Sequence, residues 1–254
     1  WKHNWSGQGF AGVIICFIRI GTKASFQQNE LGARISGVVF FGVSATISLA
    51  CALIGSRVAA SIPPVKVEHT LRWAEKSAVA RTVSAYAWSQ ILINGVTMAV
   101  FPSLATSTGV STLGFGEGWL TVILITLYSV ADTVGNLQGV QVVDQLCVWA
   151  ADASVETMTL LASGLRFAFI PAFIALGAEW VKGDSLAMAL TVFLGYTNGC
   201  LSVVCMTRAP EKFEGTKDRE REHAGYVMVV SLLMGVTLGA TVAIPLNMAV
   251  LGHA

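Results

Sequence analysis

Long apolar runs, separated by short polar connectors, repeat along the whole chain. The runs cover residues 9–24, 35–56, 83–101, 119–143, 157–178, 185–206 and 224–251. A helix that crosses a bilayer needs about 20 predominantly apolar residues, and most of these runs have that length. The period-2 alternation typical of a membrane barrel is absent from them. The pattern therefore predicts an all-α polytopic membrane protein with seven transmembrane helices.

The composition agrees with a lipid bilayer as the surroundings of the chain. Of its residues, 54% are hydrophobic and only 12% are charged, whereas soluble domains carry roughly a quarter charged residues. There is no basic patch with aromatic residues of the kind that binds nucleic acid. None of the five cysteines has the spacing of a metal site. Neither paired acids nor a nucleophile with a neighbouring base appears inside the runs, so we expect no enzyme, no metal and no cofactor.

The charges of the connectors predict the orientation. The connectors at 57–81 and 208–223 are rich in Lys and Arg, and four runs separate them, so both are expected on the cytoplasmic side. The connectors at 103–118 and 179–184 then lie outside. The acidic connector at 144–156 falls on the cytoplasmic side, which conflicts only weakly because acidic residues count little in this rule. The N-terminus is predicted inside and the C-terminus outside. Because the chain lacks an initiator Met, we expect it to be a piece of a longer protein.

Asp132 is the residue that most directly suggests a function. It lies within the apolar run 119–143, with uncharged flanks on both sides. An ionisable group at that depth is costly and usually faces a protein interior or an aqueous cavity. Helical periodicity places Tyr128 and Asn136 on the same face, which gives a polar stripe suited to hydrogen bonding a polar ligand. The alternative is an acid that only bonds neighbouring helices.

Two further polar residues lie near the middle of apolar runs. Arg166 stays charged and so needs a carboxylate, carbonyl groups or water as its partner, and Asp132 is one possible partner. The role of Arg166 is either a structural ion pair or a contact with substrate. Asn198 is suited either to bonding substrate or to bridging helices. Three prolines, Pro102, Pro171 and Pro245, predict kinks or helix ends.

Several short motifs resemble the equilibrative nucleoside transporter family, in the form of its protozoan and plant members. They are the run at 5–12, Phe101-Pro102-Ser103, Asp132-Thr133-Val134-Gly135-Asn136, Arg166-Phe167-Ala168-Phe169-Ile170-Pro171 and Thr197-Asn198-Gly199. Their order and spacing follow the family along nearly the whole chain. One position departs from the pattern, because Asn136 stands where the family's Asp-x-x-Gly-Arg motif has arginine.

The resemblance implies a partial bundle of the major-facilitator-like type. The family has eleven spans, and this chain resembles helices five to eleven, with helices one to four missing upstream. Residues 1–57 are then the last two helices of the N-terminal bundle. Residues 58–81 are a cytoplasmic loop, and residues 82–254 are the five-helix C-terminal bundle.

The resemblance also implies transport of nucleosides or nucleobases by alternating access, with proton coupling as a further possibility, in a multi-pass protein of the plasma membrane. The expected substrate-binding residues are Tyr128, Asp132, Asn136, Arg166 and Asn198. The alternatives are a seven-span receptor, which places its N-terminus outside, and a fragment of a transporter that does not transport.

Overall fold

The computed structural model describes residues 2–26, 29–61, 71–106, 118–149, 154–178, 183–213, 215 and 218–251. Within these ranges the chain forms helices and no strands, so the all-α prediction is confirmed. Much of the predicted cytoplasmic loop 58–81, most of the predicted outer connector 103–118 and most of 179–184 lie outside the described residues.

The helices follow the apolar runs closely. They are α1 (Lys2–Ser25), α2 (Glu30–Ser61), α3 (Trp73–Thr82), α4 (Ser84–Val100), α5 (Ser103–Thr106), α6 (Trp119–Trp149), α7 (Val155–Leu165), a 3-10 turn (Arg166–Ala168), α8 (Phe169–Gly177), α9 (Asp184–Glu211) and α10 (Asp218–Leu251). Each of the seven predicted runs therefore coincides with a helix, or with the consecutive segments α7, 3-10 turn and α8.

Five of the described helical segments are long and apolar enough to cross a membrane. They are Glu30–Ser61, Trp119–Trp149, Val155–Gly177, Asp184–Glu211 and Asp218–Val250. With 17 residues and a rise of about 1.5 Å per residue, α4 falls short of the roughly 30 Å of a bilayer core, and α1 contains Arg19 and Lys23. The chain is thus a polytopic helical membrane protein, and the count of seven spans stays a prediction.

The chain divides into two compact units. One comprises Trp1–Val13 and Leu71–Ala254, and the other comprises Ile14–Thr70. In the smaller unit, Nη1 of Arg19 on α1 donates a hydrogen bond to Oγ of Ser36 on α2 at 3.2 Å. The predicted division at residues 57 and 81 remains a prediction.

Glycines bring two pairs of helices of the larger unit into backbone contact. A Cβ atom at Gly195 of α9 would lie 2.6 Å from the carbonyl oxygen of Tyr128 on α6, and one at Gly139 would lie 2.5 Å from that of Cys200. A Cβ atom at Gly235 of α10 would lie 2.6 Å from the carbonyl oxygen of Ile91 on α4. Small residues permit such close packing of helices in lipid. The pairs α6–α9 and α4–α10 are therefore packed backbone against backbone in this unit.

Two apolar clusters lie along these helices, one on either side of their middle. The first contains Val83 and Ile93 of α4, Val143 of α6 and Met206 of α9, among others. The second contains Val100, Leu124, Phe173 and Leu194, among others. On α4, α6 and α9 alike, the residues between the two clusters include polar side chains. The fold therefore encloses a polar layer between two apolar ones.

A break within the α7–α8 segment sets the position of Arg166. Pro171 has no N–H to donate to the carbonyl group of Phe167, four residues earlier, and its ring crowds that carbonyl. The helix accordingly changes to a 3-10 turn at Arg166–Ala168 before α8 begins, as a kink at Pro171 predicts. Pro102 follows the end of α4, whereas Pro245 lies inside α10 without ending it.

Candidate substrate site

The five residues expected to bind substrate are carried by three segments of the larger unit. Tyr128, Asp132 and Asn136 occupy successive turns of α6, Asn198 lies on α9, and Arg166 lies on the 3-10 turn. The close packing of α6 on α9 passes directly through this region, because Gly195 and Gly199 of α9 contact the backbone of α6 at Tyr128 and Asp132.

The carboxylate of Asp132 is held by two amide groups. Its Oδ1 accepts a hydrogen bond from Nδ2 of Asn198 at 2.7 Å, and its Oδ2 accepts one from Nδ2 of Asn136 at 3.0 Å. All three side chains are half-buried. Hydrogen bonds to an ionised acceptor are stronger than neutral ones, so this arrangement fixes the carboxylate between α6 and α9.

None of the hydrogen bonds described for Arg166 is to Asp132. It is 2% exposed, and its Nη1 donates to the carbonyl oxygen of Leu194 at 3.2 Å and to Oγ1 of Thr197. Its Nη2 donates to Oγ1 of Thr97 at 2.7 Å. The guanidinium therefore joins the 3-10 turn to α9 and α4. The sequence leaves open which groups Arg166 bonds, and in the structure they are one carbonyl and two hydroxyl groups.

Thr97 connects the arginine to the carboxylate. Its Oγ1 accepts from Arg166 and lies 2.8 Å from Oδ1 of Asn198, to which it donates. Thr97 is not among the residues expected from the sequence. The sequence does contain a sign of its role, because Gln90, Asn94 and Thr97 form a polar stripe at spacings of four and three on α4. In the structure all three side chains are buried.

Tyr128 contributes an aromatic surface beside this network. Its ring stacks on that of Phe101, with the centroids 4.3 Å apart and the planes inclined at 18°. Phe101 follows the last residue of α4, so the stack joins the end of α4 to α6. Nothing in the sequence except the Phe-Pro motif points to this contact.

Two buried atoms of the site have no hydrogen-bond partner among the described residues. They are Oδ1 of Asn136 and Nε of Arg166. Buried polar atoms are nearly always paired with protein or water. An unpaired acceptor next to the Asp132 carboxylate is therefore a position at which a donor from a ligand or a water molecule would be stabilised.

A second group of charges lies at one end of the same helices. Arg208 of α9 pairs with Asp144 of α6 at 2.5 Å and with Glu211 at 3.0 Å. Lys212 pairs with Glu156 of α7 at 2.6 Å, and its Nζ also donates to the carbonyl oxygen of Thr82 at 3.1 Å. Asp144 and Glu156 of the acidic connector 144–156 thus lie at the same end of the helices as Arg208 and Lys212 of the basic connector 208–223. Their pairing accounts for acidic residues on the side that the basic residues predict to be cytoplasmic.

These features define a polytopic helical membrane protein with a polar layer, centred on a carboxylate, between two apolar clusters. The family model described as nucleoside transporter matches residues 55–248. The chain belongs to this family.

Proteins of Arabidopsis thaliana are among its relatives. The chain is 31% identical to Equilibrative nucleotide transporter 8 over 245 residues, which cover 94% of this chain and 59% of that protein. It is 28% identical to Equilibrative nucleotide transporter 1, covering 94% and 54%, and 27% identical to Equilibrative nucleotide transporter 3, covering 92% and 60%. The chain therefore spans between half and two thirds of the length of these relatives.

Proposed function

We propose that the chain forms the larger part of a carrier that moves nucleosides or nucleobases across a membrane by alternating access. The observation that carries this proposal is the half-buried Asp132 carboxylate, held between α6 and α9 in a chain of the nucleoside transporter family. Sites of this kind lie near the midplane of the membrane. A carrier needs such a site and no catalytic group, so we propose no enzymatic activity and no cofactor.

The free hydrogen-bonding capacity of the site favours a ligand that donates. A carboxylate offers about four acceptor positions, of which the amides of Asn136 and Asn198 use two. Oδ1 of Asn136 is a further acceptor without a described partner. The hydroxyl groups of a ribose, or the N–H and amino groups of a base, match these acceptors. We therefore assign Asp132 and Asn136 the direct contacts, with Tyr128 as the adjoining aromatic surface.

The same groups disfavour a phosphorylated substrate. The Nη atoms of Arg166 already donate to three protein groups, and its side chain is 2% exposed. Asn136 stands where the family motif has arginine, so the cation of that motif is absent. Among the described residues of the site, no cation is free to compensate the repulsion between a phosphate group and the negative charge of Asp132. For this chain we therefore propose uncharged nucleosides or nucleobases rather than nucleotides.

Proton coupling is a further proposal at the same residue. Each oxygen of Asp132 accepts from an amide, and a proton bound to the carboxylate would remove the charge that strengthens both hydrogen bonds. Uptake of a proton would thereby loosen α6 from α9 or release Asn136. If Asp132→Asn left both uptake and its pH dependence unchanged, this coupling would be wrong.

The remaining parts of the cavity are proposed to come from the rest of the protein. Since the chain spans 54–60% of the first relatives, we propose that N-terminal helices of the same protein complete the cavity, and that the whole resides in the plasma membrane. Transport by the isolated 254 residues would contradict the first proposal. A tag at the C-terminus that is accessible only from the cytoplasm would favour the receptor alternative.

The test is uptake of radiolabelled adenosine, uridine and hypoxanthine in a host without endogenous transport. The complete product of the gene is compared with its Asp132→Ala variant, and Gln138→Ala, an exposed position on the same helix, is the matched control. We expect saturable uptake of at least one compound, lost in Asp132→Ala and kept in Gln138→Ala. Protein that reaches the surface but takes up none of the three would overturn the proposal.

A further inference from the structure

The hydroxyl group of Thr97 is the junction between the arginine and the carboxylate of the site. Thr97 is 1% exposed and lies on α4, a helix that carries none of the five residues expected from the sequence. It accepts from Nη2 of Arg166 at 2.7 Å and donates to Oδ1 of Asn198 at 2.8 Å. Asn198 in turn donates to Asp132 at 2.7 Å.

The direction of this chain of hydrogen bonds is set by its two ends, Arg166 and the Asp132 carboxylate. A guanidinium only donates, so Thr97 must present a lone pair to Arg166. Its single proton then has two acceptors within 2.8 Å, Oδ1 of Asn198 and the carbonyl oxygen of Ile93 in its own helix. Donation to Ile93 would leave two oxygen atoms, those of Thr97 and Asn198, facing each other without a proton.

The orientation of the Asn198 amide depends on that proton. With Oδ1 bound to Thr97, Nδ2 points at Asp132 and donates to it. The opposite orientation would direct Oδ1 at the carboxylate, which places two acceptors in contact. An amide can rotate to satisfy its neighbours, so Thr97 on one side and Asp132 on the other select a single orientation.

We propose that Thr97 is a positioning residue of the substrate site: it orients Asn198, which holds the Asp132 carboxylate in the geometry that receives the substrate. This proposal rests on the proposed function, since Asp132 is taken as the group that contacts substrate. Thr97 acts on the Asp132 carboxylate through Asn198, and it links α4 to the contact between α6 and α9.

The experiment separates the hydroxyl group from the packing of the side chain. Thr97→Val keeps the branched shape and removes the hydroxyl, whereas Thr97→Ser keeps the hydroxyl. The matched control is Thr207→Val, because Thr207 is a buried threonine of α9 (4% exposed) whose Oγ1 has no hydrogen-bond partner among the described residues. Each variant is made in the complete gene product, and KM and Vmax for uptake are measured per molecule at the surface.

We expect Thr97→Val to raise KM about tenfold with Vmax within about twofold, a change of roughly 1.4 kcal/mol in apparent affinity. Thr97→Ser and Thr207→Val should keep the wild-type KM. If Thr97→Val does not reach the surface, Thr97→Ala, which cannot overpack the site, is measured in its place with the same expectation.

A double substitution tests whether Thr97 acts through Asn198. In an Asn198→Ala background, removal of the Thr97 hydroxyl should change KM less than about twofold, because residues that act in one network are not additive. An unchanged KM in the single Thr97 variant, an equal loss in Thr97→Ser, or fully multiplicative effects in the double variant would each overturn the positioning role. Wild-type protein at the surface without any uptake would instead overturn the proposed function, and this role with it.

Discussion

Substitution of Gly195 by alanine tests whether the close contact of α6 and α9 sustains the site. A Cβ atom at this position would lie 2.6 Å from the carbonyl oxygen of Tyr128, whereas ordinary contact begins near 3.4 Å. The two helices would therefore separate by roughly 0.8 Å if neither bent. Gly195 lies one turn from Asn198 on the same helix, so the separation acts directly on the bond between Asn198 and Asp132.

The magnitude follows from these distances. The bond from Asn198 to Asp132 measures 2.7 Å, and an added separation of roughly 0.8 Å takes it beyond the range of about 2.7–3.2 Å for such bonds. Overpacking costs about 1–3 kcal/mol, offset by up to about 1 kcal/mol because alanine favours a helix over glycine. Because the Cβ atom would meet backbone atoms, which cannot turn aside, the cost lies in the upper half of that range, about 2–3 kcal/mol. We therefore expect a net loss of stability of about 1–2 kcal/mol, and a KM raised about tenfold by the weakened bond to a charged group.

Gly164 is the matched control for this substitution. It lies in α7, and a Cβ atom there would meet nothing within 4 Å. Gly164→Ala should therefore be neutral or stabilising by up to about 1 kcal/mol. The assay is the melting temperature of the purified protein in detergent, with uptake measured in parallel. A difference of about 2 kcal/mol between the two variants corresponds to roughly 4–8 °C. Equal melting temperatures and equal KM values would refute the reasoning.

Three further predictions concern the surroundings of the site. Arg166→Lys keeps the charge but cannot reproduce the planar group that bonds two helices, so we expect a loss of about 1–3 kcal/mol in stability; a wild-type melting temperature would contradict this. Lys212→Glu replaces the partly exposed Lys212–Glu156 ion pair, worth about 1 kcal/mol at most, by two like charges and should lower stability. The double variant Lys212→Glu with Glu156→Lys restores opposite charges and should recover the lost stability, whereas a further loss would count against the pair. Tyr128→Leu should lower stability by about 0.5–1.5 kcal/mol through loss of the stack on Phe101, and Tyr128→Phe, which keeps the stack, should lose less. Equal losses would mean that the hydroxyl, not the stack, matters.

The helices and the polar face of α6 are predictable from the sequence because both are local properties. A run of about 20 apolar residues is stable in a bilayer only as a helix, since every backbone polar group must be satisfied within the segment. The spacing of Tyr128, Asp132 and Asn136 then fixes their common face without reference to any other helix. The bend at Pro171 is local for the same reason.

The partners of these residues are not predictable in that way. Arg166 bonds Thr97, 69 residues away, and the pairing of Thr97 with Asn198 spans 101 residues. A threonine in an apolar helix usually bonds a carbonyl group of its own helix, and Thr97 does so as well. Only the position of α4 beside α9 reveals its second role. Likewise, the pairing of the acidic connector with Arg208 and Lys212 depends on where the ends of α6, α7 and α9 meet.

The same helices are joined at two levels, which bears on how a carrier of this fold would change access. Midway along them, glycine contacts and the network from Arg166 to Asp132 join α4, α6 and α9. At one end, Arg208 of α9 pairs with α6, and Lys212, the residue that follows α9, pairs with α7. Sliding α6 along α9 would disrupt both levels at once, because it would break the bond from Asn198 to Asp132 and the pair of Arg208 with Asp144. Charged groups that lose their partners in this way are costly. We therefore expect this group of helices to move as one body, and under the proposed function a substrate held at Asp132 would move with it.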